Sequence, residues 1–313
     1  MMTTKPNYIV DLHSHTTRSD GADTPQEFIC NAAALGMKVI VITDHDILPP
    51  DRIEVNGVMV DPVLYAKKKG MKLLPGIEFS CETLVEDVHI VVLGCDYTNP
   101  RILEINEQIV KSKIYSYQKL LDVLADNGID ISWEEVLNYN DIPRNPEDVQ
   151  KKVIFNLMAE KGYTKTWSEA KLLIRNNPVF SVKREKPDPV EIIQIAHESG
   201  GIAILAHPYL IDETVMTRDG SMTREEYIDK LIDAGLDGIE ACYTYDKTTY
   251  NGPFTKEEII ARVRAAYTDR VKIISGGSDY HADYKKTDKN VRTIGECGVT
   301  LEYFNSNDYL RNL

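Results

Sequence analysis

Seven short apolar segments alternate with helix signals along this chain, and this alternation is what most restricts the fold. The segments are residues 8–12, 39–43, 72–74, 89–93, 202–206, 238–242 and 271–275. Several of them are almost continuously apolar, which is typical of parallel strands that are buried on both faces. Strands that alternate with helices predict a parallel sheet or barrel with right-handed crossovers.

The predicted helices between these strands have clear start and stop signals. Thr24-Pro25-Gln26-Glu27 offers a capping threonine, a proline at the first helical position and a glutamate at the third. Such residues satisfy backbone N–H groups that a helix leaves without partners. Similar starts occur at Asp61, Asp188, Thr223 and Thr255, and glycines at positions 36, 70, 200 and 235 mark predicted helix ends.

Residues 98–180 do not follow this alternation. Helical patterns cover residues 102–124, 153–162 and 168–174, but no segment in this stretch has the periodicity of a strand. We therefore predict a helical insertion domain at 98–180, and an α/β domain that is formed by residues 1–97 and 181–313.

Charge and composition exclude several classes of protein. The formal net charge of −13 repels long polyanions, so we expect no stable complex with nucleic acid. The five cysteines are scattered and never spaced as CxxC, which argues against a disulfide framework or a structural zinc site. The first residues lack the apolar region of a signal peptide, and no run approaches the ~18 apolar residues of a membrane span. We expect a cytoplasmic protein without a membrane partner.

Residues that commonly bind metals recur at or just after the predicted strand ends. They are His13, His15, Asp20, Asp44, His45, Glu78, His207, Asp279 and His281. The carboxyl ends of strands in barrels and open α/β sheets meet at one edge, so these side chains should lie close together. A single histidine is more often a structural residue, but two pairs spaced two apart, within five ligand-rich strand ends, favour a shared metal site.

His89 begins its apolar segment instead of ending it. Residues 78–81 and 88–93 can form the two arms of a hairpin that turns near Leu84. Antiparallel pairing would place Glu78 opposite about residue 90, and therefore beside His89.

The predicted ligand set indicates the metals and the chemistry. Imidazole nitrogens together with carboxylate oxygens suit Zn²⁺, Mn²⁺ or Fe²⁺, and Mg²⁺ is possible but less favoured by so many histidines. A water molecule shared by two cations can be hydroxide near neutral pH, so hydrolysis would need no nucleophile from the protein.

These motifs resemble those of the PHP (polymerase and histidinol phosphatase) superfamily. The resemblance rests on Asp11-Leu12-His13-Ser14-His15, Ser19-Asp20-Gly21, Ile42-Thr43-Asp44-His45-Asp46, Pro75-Gly76-Ile77-Glu78, Leu205-Ala206-His207-Pro208 and Gly277-Ser278-Asp279-Tyr280-His281. It is nearest to the branch of nucleoside 3′,5′-bisphosphate phosphatases and related exonucleases, which also has a helical insertion. The resemblance implies a distorted (β/α)7 barrel with three divalent metal ions.

The resemblance also implies how the ligands are shared. One ion would be held by His13, His15, Glu78 and Asp279, a second by Asp20, His45 and His281, and a third by Glu78, His89 and His207. Asp44 would contribute to catalysis by orienting a ligand such as a neighbouring histidine, although a strand-end cap is an alternative role for it. Glu240 could line the predicted metal site or have a plain structural role, and the two are equally open. His197 is predicted to be structural.

The chain departs from this branch in the insertion. Where the branch presents arginines to the substrate, this chain has Lys113 and Lys151. Lysine can bind a phosphate as a point charge, without the bidentate fork of arginine. Because the insertion follows the Glu78/His89 hairpin and precedes the His207 strand, we expect it to begin and end near the metal site and to fold over it as a lid or wall.

The sequence thus predicts a phosphoesterase that hydrolyses a small, nucleotide-like phosphomonoester, such as a nucleoside 3′,5′-bisphosphate, to an AMP-like product. Histidinol phosphate or the end of a short oligonucleotide are alternative substrates on the same fold. Two other classes remain open: a metal-dependent amide hydrolase, and a metal-stabilised module without catalytic activity.

Overall fold

The computed structural model describes residues 5–141, 143–285 and 290–313. Within them the strands are β1 (Val10–Asp11), β2 (Val39–Ile42), β3 (Ile53–Val55), β4 (Val58–Val60), β5 (Lys72–Ser80), β6 (His89–Leu93), β7 (Ile202–Leu205), β8 (Thr214–Thr217), β9 (Gly220–Thr223), β10 (Gly238–Cys242) and β11 (Ile273–Gly276). The helices are α1 (Pro25–Ala34), α2 (Pro62–Lys68), α3 (Pro100–Asp126), α4 (Trp133–Leu137), α5 (Lys151–Glu160), α6 (Trp167–Asn176), α7 (Pro189–Glu198), α8 (Arg224–Asp233), α9 (Lys256–Tyr267), α10 (Leu301–Ser306) and α11 (Asp308–Arg311).

Seven strands form one sheet in the order β1-β2-β5-β6-β7-β10-β11. All neighbours in this sheet are parallel except β6, which is antiparallel to both β5 and β7. The two edges of the sheet approach each other, because Leu12 N–H donates to Gly276 O at 3.3 Å and His15 N–H donates to Tyr280 O at 2.8 Å. The predicted α/β barrel is therefore confirmed as a nearly closed, seven-stranded structure.

The strands of the barrel are buried on both faces, as their apolar sequences predict. Val39 and Val41 of β2 point into the interior, whereas Ile40 and Ile42 pack against the layer that contains α1 and α2. Side chains alternate along a strand, so each strand contributes to two cores at once. The interior core also contains Phe304 and Leu310 from the two C-terminal helices.

The predicted helix starts are confirmed by their capping hydrogen bonds. Thr24, Thr223 and Thr255 each form a reciprocal capping box with the glutamate three residues later. Asp61 and Asp188 accept backbone N–H groups at the starts of α2 and α7. The glycines at positions 36, 70, 200 and 235 follow their helices with positive φ, a conformation that costs glycine little.

The predicted hairpin is present, and its first strand, β5, is longer than the sequence pattern indicated. Residues Lys72–Ser80 form one strand, and Glu78 pairs with Val91, one residue from the predicted partner. Ser80 pairs directly with His89. Because residues two apart on a strand share a face, Glu78 and His89 present their side chains on the same side of the sheet.

The reversed direction of β6 corrects one expectation about the insertion. Leu93, the last residue of β6, pairs with Ile202, the first residue of β7, whereas His207 follows the other end of β7. The chain therefore leaves β6 at the end of the barrel opposite the predicted metal ligands, and the expectation that the insertion begins beside them is wrong. It returns at the ligand end, where Glu82 N–H donates to Pro187 O at 2.9 Å.

The chain divides into two compact units, one formed by Met1–Glu104 with Pro187–Leu313 and the other by Ile105–Lys186. Among the residues of the second unit that the structure describes, there are helices but no strand. This unit has its own apolar core, to which α3, α5 and α6 contribute Leu120, Leu124, Ile154, Met158 and Ile174. In the described part of the chain, no helix combines the length and the apolar character needed to span a membrane.

Candidate metal centre

Glu78 lies at the centre of the predicted ligands and is completely buried. One of its oxygens, Oε2, lies 3.1 Å from Nε2 of His13, 3.1 Å from Nε2 of His15 and 3.0 Å from Nδ1 of His45. The other oxygen, Oε1, lies 2.9 Å from Nδ1 of His89 and 3.1 Å from Nε2 of His207. Five imidazoles from five places in the chain thus surround one carboxylate, and each oxygen faces its own group of nitrogens.

Four of the atoms at this point are buried and have no hydrogen-bond partner in the described part of the chain. They are Glu78 Oε2, His13 Nε2, His15 Nε2 and His45 Nδ1. Burying polar atoms in this way is unfavourable unless something else binds them. Two ligands that bind one ion at right angles, each ~2.1 Å from it, would lie ~3.0 Å apart, close to the spacing seen here. The donor types and their separations therefore fit divalent metal ions.

Asp279 and His281 approach the same cluster from the segment that follows β11. Asp279 Oδ1 lies 3.0 Å from Nε2 of His15 and 3.6 Å from Nε2 of His13. His281 Nε2 lies 3.0 Å from Oδ1 of Asp20. Each of the nine predicted metal ligands therefore has another of them within 4 Å.

Among the residues that the structure describes, donor atoms that lie close enough to share an ion form three groups. These groups are His13, His15 and Glu78; His15, Asp20, His45 and His281; and His45, Glu78 and His89. They overlap with the ligand sets that the resemblance implies, but His15 also lies with Asp20 and His281, and His45 also lies with Glu78 and His89. His207 and Asp279 contact these groups without belonging to them. How the ligands are divided among ions remains a prediction.

Close backbone approaches hold the ligand segments in place. A Cβ atom at Gly277 would overlap the backbone and Cβ of His13, and one at Gly21 would overlap the carbonyl of His15. His207 has φ 29° and Asp279 has φ 50°, which are left-handed values that residues other than glycine seldom adopt. Such strain persists only where the surrounding structure enforces it, and here it falls on two predicted ligands.

Asp44 does not contact a histidine directly. Its carboxylate accepts hydrogen bonds from Thr16 N–H at 2.7 Å, Thr16 Oγ1 at 2.7 Å and Ser19 Oγ at 2.7 Å. Ser19 Oγ in turn lies 3.5 Å from Nδ1 of His15. Asp44 thus fixes the loop that joins His15 to Asp20, and a contribution to catalysis would act through that loop.

Two buried carboxylates support the ligands and were not assigned this role from the sequence. Glu240 lies beside His13, with Oε1 3.2 Å from Nδ1, and its Oε2 accepts His207 N–H at 2.9 Å. Asp11 accepts hydrogen bonds from Ser278 Oγ at 2.6 Å and Gly295 N–H at 2.8 Å, and burial raises its pKa to about 6. Asp11 lies inside the first motif, so its position was a usable signal, whereas the sequence left Glu240 undecided.

The buried imidazoles and carboxylates of the cluster shift one another's pKa values. Burial disfavours protonation of His15, but the adjacent carboxylates of Asp279 and Glu78 outweigh it and raise the pKa of His15 to about 10. Burial likewise opposes ionisation of Glu78, yet the imidazoles of His45, His13 and His89 hold its pKa well below the usual range. The site thus contains anionic carboxylates whose compensating protons a cation would replace.

The predicted substrate-binding lysines belong to the second unit. Lys113 lies on α3, and its ammonium group donates to the backbone carbonyl of Glu147 at 2.6 Å. Lys151 is the first residue of α5. His197, which the sequence indicates as structural, pairs with Asp237 at 2.7 Å in the last turn of α7.

Comparison with known proteins shows which family and which relatives the chain is similar to. The family model of the PHP domain matches residues 11–163. The chain is 25% identical over 280 residues to a phosphoribosyl 1,2-cyclic phosphate 1,2-diphosphodiesterase of Eggerthella lenta, covering 88% of this chain and 95% of that protein. It is 26% identical over 276 residues to a 3′,5′-nucleoside bisphosphate phosphatase of Chromobacterium violaceum, covering 87% of each.

The fold is also found in a solved structure. A protein from Bifidobacterium adolescentis that is described as a metal-dependent phosphoesterase superposes with a TM-score of 0.68 at 22% identity, covering 97% of this chain and 96% of that one. This likeness bears on the fold alone. The family match and the arrangement of the nine predicted ligands agree: over residues 11–163, just under half of its length, the chain is similar to the PHP domain family.

Proposed function

We propose that this protein hydrolyses a phosphomonoester of a small, nucleotide-like molecule, and that a nucleoside 3′,5′-bisphosphate is the substrate to test first. Its match to the PHP domain and its phosphoesterase relatives support a metal-dependent phosphoesterase, a hydrolase of phosphoester bonds. The observation that carries the proposal is the convergence of His13, His15 and His45 on one oxygen of Glu78 without hydrogen bonds.

Three divalent ions, of Mn²⁺, Zn²⁺ or Fe²⁺ and with Mg²⁺ possible, would suit this donor set. Such ions, when bound, lower the pKa of water and neutralise phosphoryl oxygens. The nine ligands would be those inferred from the sequence, with Glu78 between two of the ions because its oxygens face different groups of imidazoles.

The exposure of the ligands indicates where a phosphate group enters. His13, His15 and Glu78 are buried, whereas the side chains of Asp20, His45 and His89 are 57%, 27% and 16% exposed. Among the described residues of the barrel, the cluster is therefore accessible to solvent on the side of these three ligands. A phosphoryl group would approach there, while the buried ligands stay fixed behind it.

The residues of the chain also keep the site rigid during the reaction. Asp44 holds the loop of Asp20 through Thr16 and Ser19, and Glu240 holds both His13 and the backbone of His207. A preorganised site does not need to rearrange as charge develops on the phosphoryl oxygens, and this is a large part of catalysis by such sites.

The choice of substrate draws on the relatives. Of the two relatives compared above, one is named for a nucleoside bisphosphate and one for a ribose cyclic phosphate, and both names describe a small phosphorylated sugar or nucleoside. Lys113 and Lys151 are proposed to bind the second phosphate of such a substrate. We further propose that the protein acts in the cytoplasm on a free small molecule, without a nucleic-acid or membrane partner.

The test is a substrate panel with metal-depleted protein that has been reloaded with Mn²⁺. The panel contains a nucleoside 3′,5′-bisphosphate, the corresponding 5′-monophosphate, histidinol phosphate, a ribose cyclic phosphate, a short oligonucleotide and an amide. Glu78→Gln is the inactive control, and Arg270→Gln, which removes an exposed ion pair with Asp229, is the matched control.

Preference for the bisphosphate, with release of inorganic phosphate, supports the proposal. Preference for histidinol phosphate, the cyclic ester or the oligonucleotide would keep the phosphoesterase and replace the substrate. Cleavage of the amide alone would contradict phosphoester chemistry, and no turnover of the panel by protein that binds metal would favour a non-catalytic module.

A further inference from the structure

The two oxygens of Asp279 have different surroundings. Oδ1 faces the cluster, 3.0 Å from Nε2 of His15. Oδ2 points away from it and accepts two short hydrogen bonds, from the hydroxyl of Tyr243 at 2.7 Å and from Nη1 of Arg292 at 2.6 Å. Hydrogen bonds with an ionised partner are the stronger kind, so Oδ2 is committed to these donors and Oδ1 alone is presented to a metal ion.

Arg292 binds a second carboxylate at the same time. Its Nε donates to Oδ2 of Asp283 at 2.9 Å, and its backbone N–H donates to the same oxygen at 3.2 Å. Asp283 is buried, and only 16% of the Arg292 side chain is exposed. The planar guanidinium group suits this arrangement, because its donors point in fixed directions and can reach two carboxylates together.

The two carboxylates lie on either side of a strained segment. Residues 279–283 include two predicted ligands, Asp279 and His281, and Asp279 and Ala282 have left-handed φ values of 50° and 54°. These conformations are unfavourable for residues with a Cβ atom and need external support. Arg292 connects both ends of this segment.

We propose that Arg292 is a positioning residue for the metal centre, which holds Asp279 as a ligand through Oδ1 only and keeps His281 in place. This inference rests on the proposed metal centre and extends it to a residue that lies outside the family motifs. The alternative is that Arg292 forms an ion pair that stabilises the fold and has no effect on metal affinity.

Metal binding measured directly separates these roles. Metal-free wild-type protein, Arg292→Gln and Arg292→Lys are titrated with Mn²⁺, and free Mn²⁺ is followed by electron paramagnetic resonance. Arg270→Gln serves as the control, because it removes an ion pair of 2.9 Å in the same unit that involves no predicted ligand. Thermal unfolding of each metal-free variant is measured in parallel.

We expect Arg292→Gln to weaken one class of Mn²⁺ sites about 10- to 100-fold, the usual effect of removing a residue that orients a ligand. Arg292→Lys should recover part of this loss, because an ammonium group carries the charge but cannot span both carboxylates in the same geometry. Arg270→Gln should bind Mn²⁺ as the wild type does.

Wild-type Mn²⁺ affinity in folded Arg292→Gln would overturn the proposal, as would an equal loss in Arg270→Gln. If Arg292→Gln fails to fold, Tyr243→Phe removes the other donor to Oδ2 and should weaken the same class of sites by a smaller factor. Unchanged affinity in Tyr243→Phe would then count against the proposal. None of these readouts uses a substrate, so a protein that binds Mn²⁺ as described but cleaves nothing would refute the proposed function alone.

Discussion

The carboxylate of Glu240 lies 3.2 Å from Nδ1 of His13, while the other ring nitrogen of His13 faces Glu78 at 3.1 Å. A carboxylate on the far side of a metal-binding imidazole fixes both the tautomer and the orientation of the ring. Glu240 also accepts the backbone N–H of His207, so one side chain supports ligands from two strands.

Removing Glu240 should therefore weaken metal binding without destroying the site. We expect Glu240→Gln to lower Mn²⁺ affinity about 10-fold, and Glu240→Ala to lower it up to ~100-fold, because only glutamine can still hydrogen-bond to the imidazole. Isothermal titration with metal-free protein measures both. Equal affinities in the two variants and the wild type would show that His13 is oriented by other contacts.

Metal removal should abolish catalysis reversibly. Treatment with a chelator is expected to remove activity, and added Mn²⁺ or a similar cation should restore it, since the nine ligands exceed what one or two ions require. Elemental analysis of the active protein should give close to three ions per chain. Full activity of chelated protein in which no metal is detectable would contradict this prediction.

Glu78 and His197 offer a contrast between a central and a peripheral residue. Glu78→Gln should lower kcat by about 100-fold or more, because the neutral amide cannot replace a carboxylate that faces five imidazoles. His197→Ala removes a partly exposed pair with Asp237, so it should cost about 1 kcal/mol of stability or less and leave kcat unchanged. Comparable losses of kcat in folded Glu78→Gln and His197→Ala would contradict the central role of Glu78.

The stability of the metal-free protein should depend on pH through His15. Its pKa is raised from 6.5 to about 10, so protonated His15 stabilises the fold fully below pH 6.5. This stabilisation is lost as the pH rises towards 10, and the Tm of metal-free protein should fall over that window. In protein loaded with metal, the ions replace the proton on His15, so the fall in Tm with rising pH should be smaller. Differential scanning calorimetry on both forms, with metal-free His15→Gln as the control, tests whether the Tm falls as the pH rises.

The lysines of the second unit should affect substrate choice more than catalytic power. If Lys113 and Lys151 bind a second phosphate equally in the ground and transition states, alanine at either position should raise KM for a bisphosphate with little change in kcat. A lost charge-assisted hydrogen bond corresponds to about 10- to 100-fold in KM. A singly phosphorylated substrate serves as the internal control, and an equal effect on both substrates would exclude recognition of a second phosphate.

The barrel could be predicted because its signals are local. Apolar strand segments, capping threonines such as Thr24 and glycines such as Gly36 each act within a few residues, and the structure confirms them. The hairpin that brings His89 beside Glu78 could also be inferred, because antiparallel pairing from a short turn leaves few registers.

The supporting residues could not be identified in the same way, because their roles arise from long-range contacts. Arg292 lies 13 residues from Asp279 in the sequence, and nothing in its local sequence separates it from an exposed arginine. Glu240 is buried in the middle of β10, where a carboxylate is seldom found, and its contact with His13 depends on how β1 and β10 lie in the barrel. The start of the insertion was misplaced for a related reason, since the direction of β6 decides where the chain leaves the barrel.

The reversed strand β6 also determines which changes of length this protein can accept. The turn between Ser80 and His89 connects two adjacent strands at the ligand end, so added residues would project from the rim without lengthening either strand. A deletion that pulled β6 along by one residue would instead turn His89 to the outer face, because side chains alternate along a strand. Insertions and deletions among homologous proteins should therefore lie within this turn, and the number of residues from His89 to the end of β6 should stay constant.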